Sequence, residues 1–266
     1  MNNGDPGYED ADGFAAKLTC GPGNVFDGCI ACYNADDGWD LFAKAATGPI
    51  GKVIIRNSVA YKNGFLMVQP GSRKDKILFA DIQCNENGHL TFTGESLSET
   101  PAGNGNGFKM GGTNIPGGHE LHNSIAYLNK NKGIDANSCP DVKVYDCTSF
   151  NNGSHNIALY TGSKDAKTAF EAEGVLSFRT GAGAEDNLKL QKQSSFAVYN
   201  DTNHYWPGSG DVSADWFLSL DTSVTPTRLA NGDIDMHDLL LLTEEARTHD
   251  SGAQGAAWGQ PEAPSA

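Results

Sequence analysis

Residues 121–129 read Leu-His-Asn-Ser-Ile-Ala-Tyr-Leu-Asn, and similar stretches recur along the chain. Copies begin near residues 25, 53 and 142, with a weaker copy near residue 175. Each copy combines a short run of alternating apolar residues, a triplet of the Ile-Ala-Tyr type, and a step in which glycine precedes a bulky apolar residue. Short strands separated by turn residues predict a parallel β-helix, a solenoid in which each rung buries its inner face by stacking.

The spacing of the copies predicts rungs of nearly constant length, because equivalent positions lie 23 to 29 residues apart. Residues 67–102 do not fit this spacing and leave two alternatives. They form either an additional rung or one long excursion that returns at Asn106, which would place Lys109 on the rung next to Asp40. One aromatic residue also recurs per rung, and we expect these rings to form an internal stack. The rings are those of Tyr61, Tyr127, Phe150 and Phe178.

The composition excludes several classes of protein. The 266 residues include 32 glycines, and 33 acidic against 19 basic residues give a net charge of −14. This acidic balance argues against nucleic-acid binding, and no apolar run reaches the roughly 20 residues that a membrane span needs. We expect a monomer with one β-helix domain and its C-terminal extension over residues 1–246, followed by a flexible tail over residues 247–266.

Acidic residues cluster at one step of the predicted coil. Asp36, Asp37 and Asp40 lie within five residues, and Asp12 precedes Asp37 by 25 residues, which is one rung. Rungs stack about 4.8 Å apart, so all four carboxylates are expected to meet. Carboxylates at such short distances repel one another unless a cation neutralises them. Ligation by oxygen alone is typical of Ca²⁺ and not of zinc, so the sequence predicts a calcium site.

Lys109 is the predicted catalytic residue. It lies in the glycine-rich segment 103–112, on the same outer face as the acidic cluster, and its glycine neighbours would let another backbone or a polymer approach closely. A nearby cation disfavours the ammonium form, so a neutral Lys109 amine could act as a general base. Three other lysines are candidates for an alternative base or for contacts with substrate carboxylates: Lys44, Lys130 and Lys132. Asn106 is a further candidate for a substrate contact.

Three motifs, together with the repeated Asn-Ser-Ile-Ala-Tyr, resemble the pectate lyases of polysaccharide lyase family 9. The motifs are residues 11–18, 34–42 and 105–112, and the resemblance runs from about Asp10 to about Leu242. It implies a right-handed parallel β-helix and one Ca²⁺ held by the four aspartates named above. It also implies that Lys109 removes the C5 proton of a galacturonate unit. Family members usually carry several rungs before the first aspartate, so we expect a coil that is short at its N-terminal end.

The sequence therefore predicts a secreted, Ca²⁺-dependent pectate lyase that cleaves polygalacturonate by β-elimination, its signal peptide lying outside this chain. Two alternatives stay open. One is a lyase that acts on another uronic-acid polysaccharide such as alginate. The other is a non-catalytic β-helix that binds acidic polysaccharide. A glycoside hydrolase, which needs a paired acid and base, would leave the four carboxylates and Lys109 unexplained.

Overall fold

Three parallel sheets wind into one solenoid, because each rung contributes one strand to each sheet. The predicted parallel β-helix is thereby confirmed. The computed structural model describes residues 8, 10–68, 81–84, 90–93, 98–162, 167–188, 201–206, 212–249 and 255–258.

The strands of each sheet are hydrogen-bonded in register from one rung to the next. Sheet A consists of Phe14–Ala15, Trp39–Asp40, Phe108–Lys109, Ile134–Asp135, Ile157–Leu159 and Asn187–Leu188. Sheet B consists of Asn24–Asp27, Val53–Arg56, Glu120–His122, Lys143–Tyr145 and Glu171–Glu173. Sheet C consists of Ile30–Cys32, Val59–Tyr61, Ile125–Tyr127, Thr148–Phe150 and Val175–Phe178, with His204–Trp206 added antiparallel.

The remaining described elements lie outside the coil. The hairpin strands are Phe65–Val68 with Ser98–Pro101, Asp81–Cys84 with Leu90–Thr93, and Thr227–Arg228 with Ile234–Asp235. A 3₁₀ helix spans Ala214–Trp216, and an α-helix spans Glu244–Arg247. Among the described residues, no helix is both long enough and apolar enough to cross a membrane.

The long connection after Gly64 is an excursion and not an additional rung. Trp39–Asp40 pairs directly with Phe108–Lys109, so no strand of sheet A lies between them. The excursion leaves and returns at one point, where the Ala102 N–H donates to the Gly64 carbonyl at 2.8 Å. This confirms the second of the two alternatives for residues 67–102, although residues 69–80, 85–89 and 94–97 lie outside the described part of the chain.

The corner between sheets B and C is encoded locally. Asn57, Asn123 and Asp146 occupy it in three successive rungs with φ of 50°, 41° and 51°, and Gly28 and Gly174 occupy it at φ of 64° and 62°. Glycine adopts this left-handed conformation without steric cost, and Asn and Asp tolerate it better than other residues. The residue type at each corner therefore fits the turn that every rung must make.

The aromatic column is stacked as predicted, but it is not internal. Tyr61 and Tyr127 stack with ring centroids 5.0 Å apart, while the central residues of their triplets, Ala60 and Ala126, pack in the coil interior. Side chains alternate across a strand, so the flanking bulky residues face outward and the small alanine faces the narrow interior. The outward rings form a second apolar cluster with the segment Leu239–Leu242.

Part of the predicted flexible tail packs on the same outer face of sheet C. Trp258 is buried, its indole N–H donates to the Asn123 carbonyl, and the Ala256 N–H donates to Thr148 Oγ1 at 3.0 Å. An apolar sheet face needs a cover, and residues 255–258 supply part of it. The boundary proposed at residue 247 stays a prediction.

Four successive rungs each contribute one asparagine to a ladder along the coil, and all of these except the half-buried Asn34 are buried. The Asn34 amide donates to Asn63 Oδ1 at 2.8 Å, and the Asn63 amide donates to Asn129 Oδ1 at 2.8 Å. The ladder continues from Asn129 to Asn152 at 2.9 Å, and it ends where Asn152 donates to Asn156 of its own rung at 3.1 Å. Because each amide both donates and accepts, the ladder satisfies polar groups that would otherwise be buried without partners.

We expect Asn129→Ala to lower the free energy of unfolding by about 2–3 kcal/mol. It removes the acceptor of the Asn63 backbone N–H and of one Asn63 side-chain N–H, and it leaves Asn152 Oδ1 with only the residue 129 backbone donor. Urea denaturation followed by circular dichroism measures this change. The control is Asn231→Ala, since Asn231 is exposed and, within the described part of the chain, its side chain bonds only to Asp233 of its own turn. Equal effects of the two substitutions would contradict a stabilising role for the ladder.

Candidate metal and catalytic site

Sheet A places a column of charged residues on the outside of the coil. In its two-residue strands the first side chain faces inward, and Phe14, Trp39 and Phe108 stack there with centroids 4.8 and 4.7 Å apart. The second side chain faces outward, where Lys109 lies in register with Asp40 on one side and Asp135 on the other. The buried aromatic stack therefore fixes which charged residues become neighbours.

Three of the four predicted metal ligands come together at this column. One carboxylate oxygen from each of Asp12, Asp37 and Asp40 lies within 4.8 Å of the others. Asp37 and Asp40 are buried, and the carboxylate of Asp12 is 2% exposed. Rung stacking brings Asp12 to the cluster, since Phe14 pairs with Trp39 in the next rung.

Asp36, the fourth predicted ligand, is fully buried beside this cluster. Its Oδ1 accepts the backbone N–H of Asn104, whereas among the described residues its Oδ2 has no hydrogen-bond partner. Burial, and then the charge of Asp37, raises the pKa of Asp36 to about 7. A buried oxygen without a donor, next to three converging carboxylates, fits a donor set for a hard cation such as Ca²⁺.

Two lysines supply the positive charge around these carboxylates. Lys109 Nζ lies 3.0 Å from Asp37 Oδ2 and 3.4 Å from Asp40 Oδ2. Lys17 Nζ lies 2.9 Å from Asp12 Oδ2 and 3.0 Å from Asp40 Oδ2. Four carboxylates against two ammonium groups leave a formal charge of −2, which one divalent cation would balance.

Sequence reasoning missed Lys17. It follows the strand Phe14–Ala15 by two residues and has no partner in the sheet register. Its ammonium reaches Asp40 through a long side chain. The available signal was weak: Lys17 is a single lysine, three residues after the inward-facing Phe14 and five residues after Asp12.

Asn106, predicted as a substrate contact, is buried next to Asp37 and donates hydrogen bonds to it. Asp37 Oδ1 accepts the Asn106 backbone N–H at 2.7 Å and its side-chain amide at 2.8 Å. Burial raises the pKa of Asp37 to about 6, although Lys109 and these donors favour the charged form. Asn106 therefore positions a candidate ligand.

The other predicted lysines occupy different environments. Lys132 lies on the site face, where its Nζ is 2.8 Å from Asp135 Oδ2 and 5.4 Å from the centre of the Tyr160 ring. Lys44 is exposed and forms a small bridge with Gly48. Lys130 donates to the carbonyls of residues 102 and 103, and so closes the base of the excursion.

The glycines around Lys109 serve packing within the protein. A Cβ on Gly107 would lie 2.6 Å from the Gly133 carbonyl oxygen, and one on Gly112 would lie 2.3 Å from the Phe42 ring. These positions need glycine because neighbouring rungs and loops approach closely. Of the two alternatives given for these glycines, Gly107 fits the close approach of another backbone, and Gly112 accommodates a ring of the protein itself.

Fold and site together define a right-handed parallel β-helix protein with a carboxylate and lysine site on the outer face of one sheet. The profile of the family described as "Pel9A-like, right handed beta helix region" matches residues 1–168, well over half of the chain. The chain therefore belongs to the Pel9A-like β-helix family. The resemblance to polysaccharide lyase family 9 is thereby confirmed.

Individual relatives agree with this assignment. Pectate lyase L of Paenibacillus polymyxa (strain SC2) is 38% identical over 252 residues, covering 91% of this chain and 46% of the relative. Pectate lyase L of Thermoclostridium stercorarium is 35% identical over 213 residues, covering 80% of this chain and 14% of the relative. The crystal structure of pectate lyase Pel9A superposes with a TM-score of 0.59 and 28% identity, over 95% of this chain and 54% of that one. This chain thus spans less than half the length of each of the two pectate lyases L, and about half of the Pel9A chain.

We expect Ca²⁺ to raise the melting temperature of the metal-free protein, because a ligand that binds only the folded state stabilises it, by about 2.7 kcal/mol at a concentration of 100 Kd. Asp37→Asn removes one charged ligand while keeping the oxygen that accepts from Asn106, and it should abolish most of this increase. Differential scanning calorimetry with and without Ca²⁺ measures both effects.

The matched control for this prediction is Asp233→Asn, since Asp233 is exposed in the hairpin of Thr227–Arg228 and Ile234–Asp235. It changes the net charge by the same amount and should leave the Ca²⁺ response as in the wild type. A wild-type response in Asp37→Asn would remove Asp37 from the ligand set.

Proposed function

We propose that this chain carries the catalytic β-helix of a secreted, Ca²⁺-dependent pectate lyase, which cleaves polygalacturonate by β-elimination with Lys109 as the base. The observation that carries the proposal is the position of Lys109, whose Nζ lies 3.0 Å from Asp37 Oδ2 at the edge of the carboxylate cluster. The names of the relatives, pectate lyase L in two bacteria, supply the substrate.

The proposed ligands for Ca²⁺ are Asp12, Asp36, Asp37 and Asp40. When bound there, the ion would neutralise a uronate carboxylate and make the adjacent C5 proton more acidic. It would also link a polyanionic substrate to a protein whose own net charge is −14. Asn106 keeps Asp37 in place through two hydrogen bonds, so this ligand pays little conformational entropy on binding.

Lys109 is proposed to take the C5 proton onto its Nζ. The C5–H electrons then form the C4=C5 double bond. The C4–O4 bond breaks with its electron pair going to O4, which leaves with the next sugar and takes up a proton from solvent. Burial disfavours the ammonium form of Lys109, but Asp37 and Asp40 outweigh this and raise its pKa in the metal-free protein. Ligation of those two carboxylates would weaken their pull and leave burial to favour the neutral amine.

Lys132 is the proposed contact for a neighbouring uronate carboxylate. Its partner Asp135 pairs with Lys109 in sheet A, so the two lysines belong to adjacent rungs, and neighbouring strands of a sheet are spaced about 4.8 Å apart. Tyr160, beside the Lys132 ammonium, adds a half-buried aromatic surface of the kind against which a sugar ring packs. Lys44, which is exposed, is proposed as a more distant contact.

Ultraviolet absorbance of the unsaturated uronate product tests the proposal. On polygalacturonate we expect a steady rise with Ca²⁺ and none with a chelator. A flat trace on polygalacturonate with a rise on alginate would select a lyase for another uronan. The absence of a rise on any uronan would select a non-catalytic β-helix that binds acidic polysaccharide.

Lys109→Ala should lower the rate of product formation by about 10²–10⁴-fold, the usual contribution of a general base. Calorimetry should still detect Ca²⁺ binding and a folded protein, because the carboxylates remain. The control is Lys143→Ala, since Lys143 pairs with Glu171 on the outer face of sheet B. A wild-type rate in Lys109→Ala would refute the assignment of the base.

A further inference from the structure

The two oxygens of each clustered carboxylate have different partners. Oδ1 accepts an N–H in every case: Asp12 from Asp37 at 3.3 Å, Asp37 from Asn106 at 2.7 Å, and Asp40 from Phe42 at 3.0 Å. Oδ2 of each aspartate faces only lysine ammonium groups among the described residues. The N–H donors thus orient the carboxylates, and the lysines neutralise them.

Lys17 neutralises two of these oxygens at once, Asp12 Oδ2 at 2.9 Å and Asp40 Oδ2 at 3.0 Å. Both carboxylates are nearly inaccessible, with 2% and 3% of their side-chain surface exposed. In the absence of a cation this ammonium offsets the repulsion between them, which would otherwise destabilise the fold. A cation that binds these oxygens would need the space and the lone pairs that Lys17 uses.

Lys17 also has an alternative ion-pair partner, Asp10, outside the buried cluster. Its Nζ lies 3.3 Å from Asp10 Oδ1, and Asp10 is 70% exposed at the rim of the cluster. The Lys17 side chain is itself 19% exposed. A small rotation of this side chain would therefore move the ammonium outward while its ion pair with Asp10 remains. Lys109 differs, because it is less exposed and also lies near the Phe42 ring.

We propose that Lys17 is a displaceable internal counter-ion: it holds the carboxylates of Asp12 and Asp40 in the metal-free protein, and it moves toward Asp10 when a divalent cation binds. The proposal rests on the cation site of the proposed function. In this arrangement Lys17 stabilises the metal-free fold, and it also lowers the affinity for Ca²⁺, because part of the binding free energy goes into breaking two charge-assisted hydrogen bonds.

Isothermal titration calorimetry of Ca²⁺ into the metal-free chain tests this. Lys17→Met keeps the apolar stem and removes the ammonium, so we expect Ca²⁺ to bind about 10–100-fold more tightly. The same variant should melt at a lower temperature than the wild type without Ca²⁺ and show a larger increase when Ca²⁺ is added. Lys17→Arg, which keeps the charge and both contacts, should bind within about threefold of the wild type.

A matched control separates displacement from a general change in charge. Lys52→Met removes one positive charge from a lysine that pairs with Glu120 on sheet B, and it should leave the affinity unchanged. Equal or weaker Ca²⁺ binding in Lys17→Met would overturn the proposal, since a lysine that merely orients the ligands would weaken binding when removed. Equal tightening in Lys52→Met would overturn it as well.

A measurement on the wild type covers the case in which Lys17→Met does not fold. Nitrogen-15 NMR of the lysine ammonium groups should show Lys17 protected from hydrogen exchange without Ca²⁺ and exposed with it. Protection that persists at saturating Ca²⁺ would refute displacement while leaving the cation site and the proposed lyase intact. Failure of the wild type to bind Ca²⁺ would refute both.

Discussion

The stacking of Phe14, Trp39 and Phe108 inside the coil fixes the register of sheet A, and that register fixes which charges meet outside. Each ring lies less than 5 Å from the next, so a slip of one residue would send every aromatic side chain to solvent and every outer charge inward. Apolar contacts inside the coil therefore hold the register. The same register places the polar side chains of Asp40 and Lys109 next to each other on the outside.

The rung pattern could be predicted because it is local: the corner residues, the alternation within each strand and the glycine steps all lie within one repeat. The approach of Asp12 to Asp37 followed from the constant rung length. The position of Lys109 depended on residues 67–102 being an excursion, which spacing alone left open. The pairing of Trp39 with Phe108 decides it, and this contact is not local in the sequence.

What could not be predicted depends on side-chain reach and on packing between distant segments. Lys17 joins the cluster through a flexible stem that no periodicity describes. The outward direction of Tyr61 and Tyr127 depends on the cover supplied by Leu239–Leu242, far along the chain. Asn106 is of a residue type that often contacts substrates, and only its position shows that it also donates a hydrogen bond to Asp37. Residue type alone does not distinguish these roles.

The two sets of buried polar groups in the coil, the asparagine ladder and the carboxylate cluster, differ in how fully they are hydrogen-bonded and neutralised within the protein. The asparagine ladder satisfies its amides within the chain, so it stabilises the fold without needing a ligand. The carboxylate cluster is satisfied only in part: Asp36 keeps a buried oxygen without a donor among the described residues, and the two lysines leave a residual negative charge. A protein tolerates such incomplete neutralisation where a ligand completes it, because full internal pairing would leave no attraction for a cation. The asparagine ladder links the rungs from which the acidic residues project, and so helps to hold these carboxylates in place.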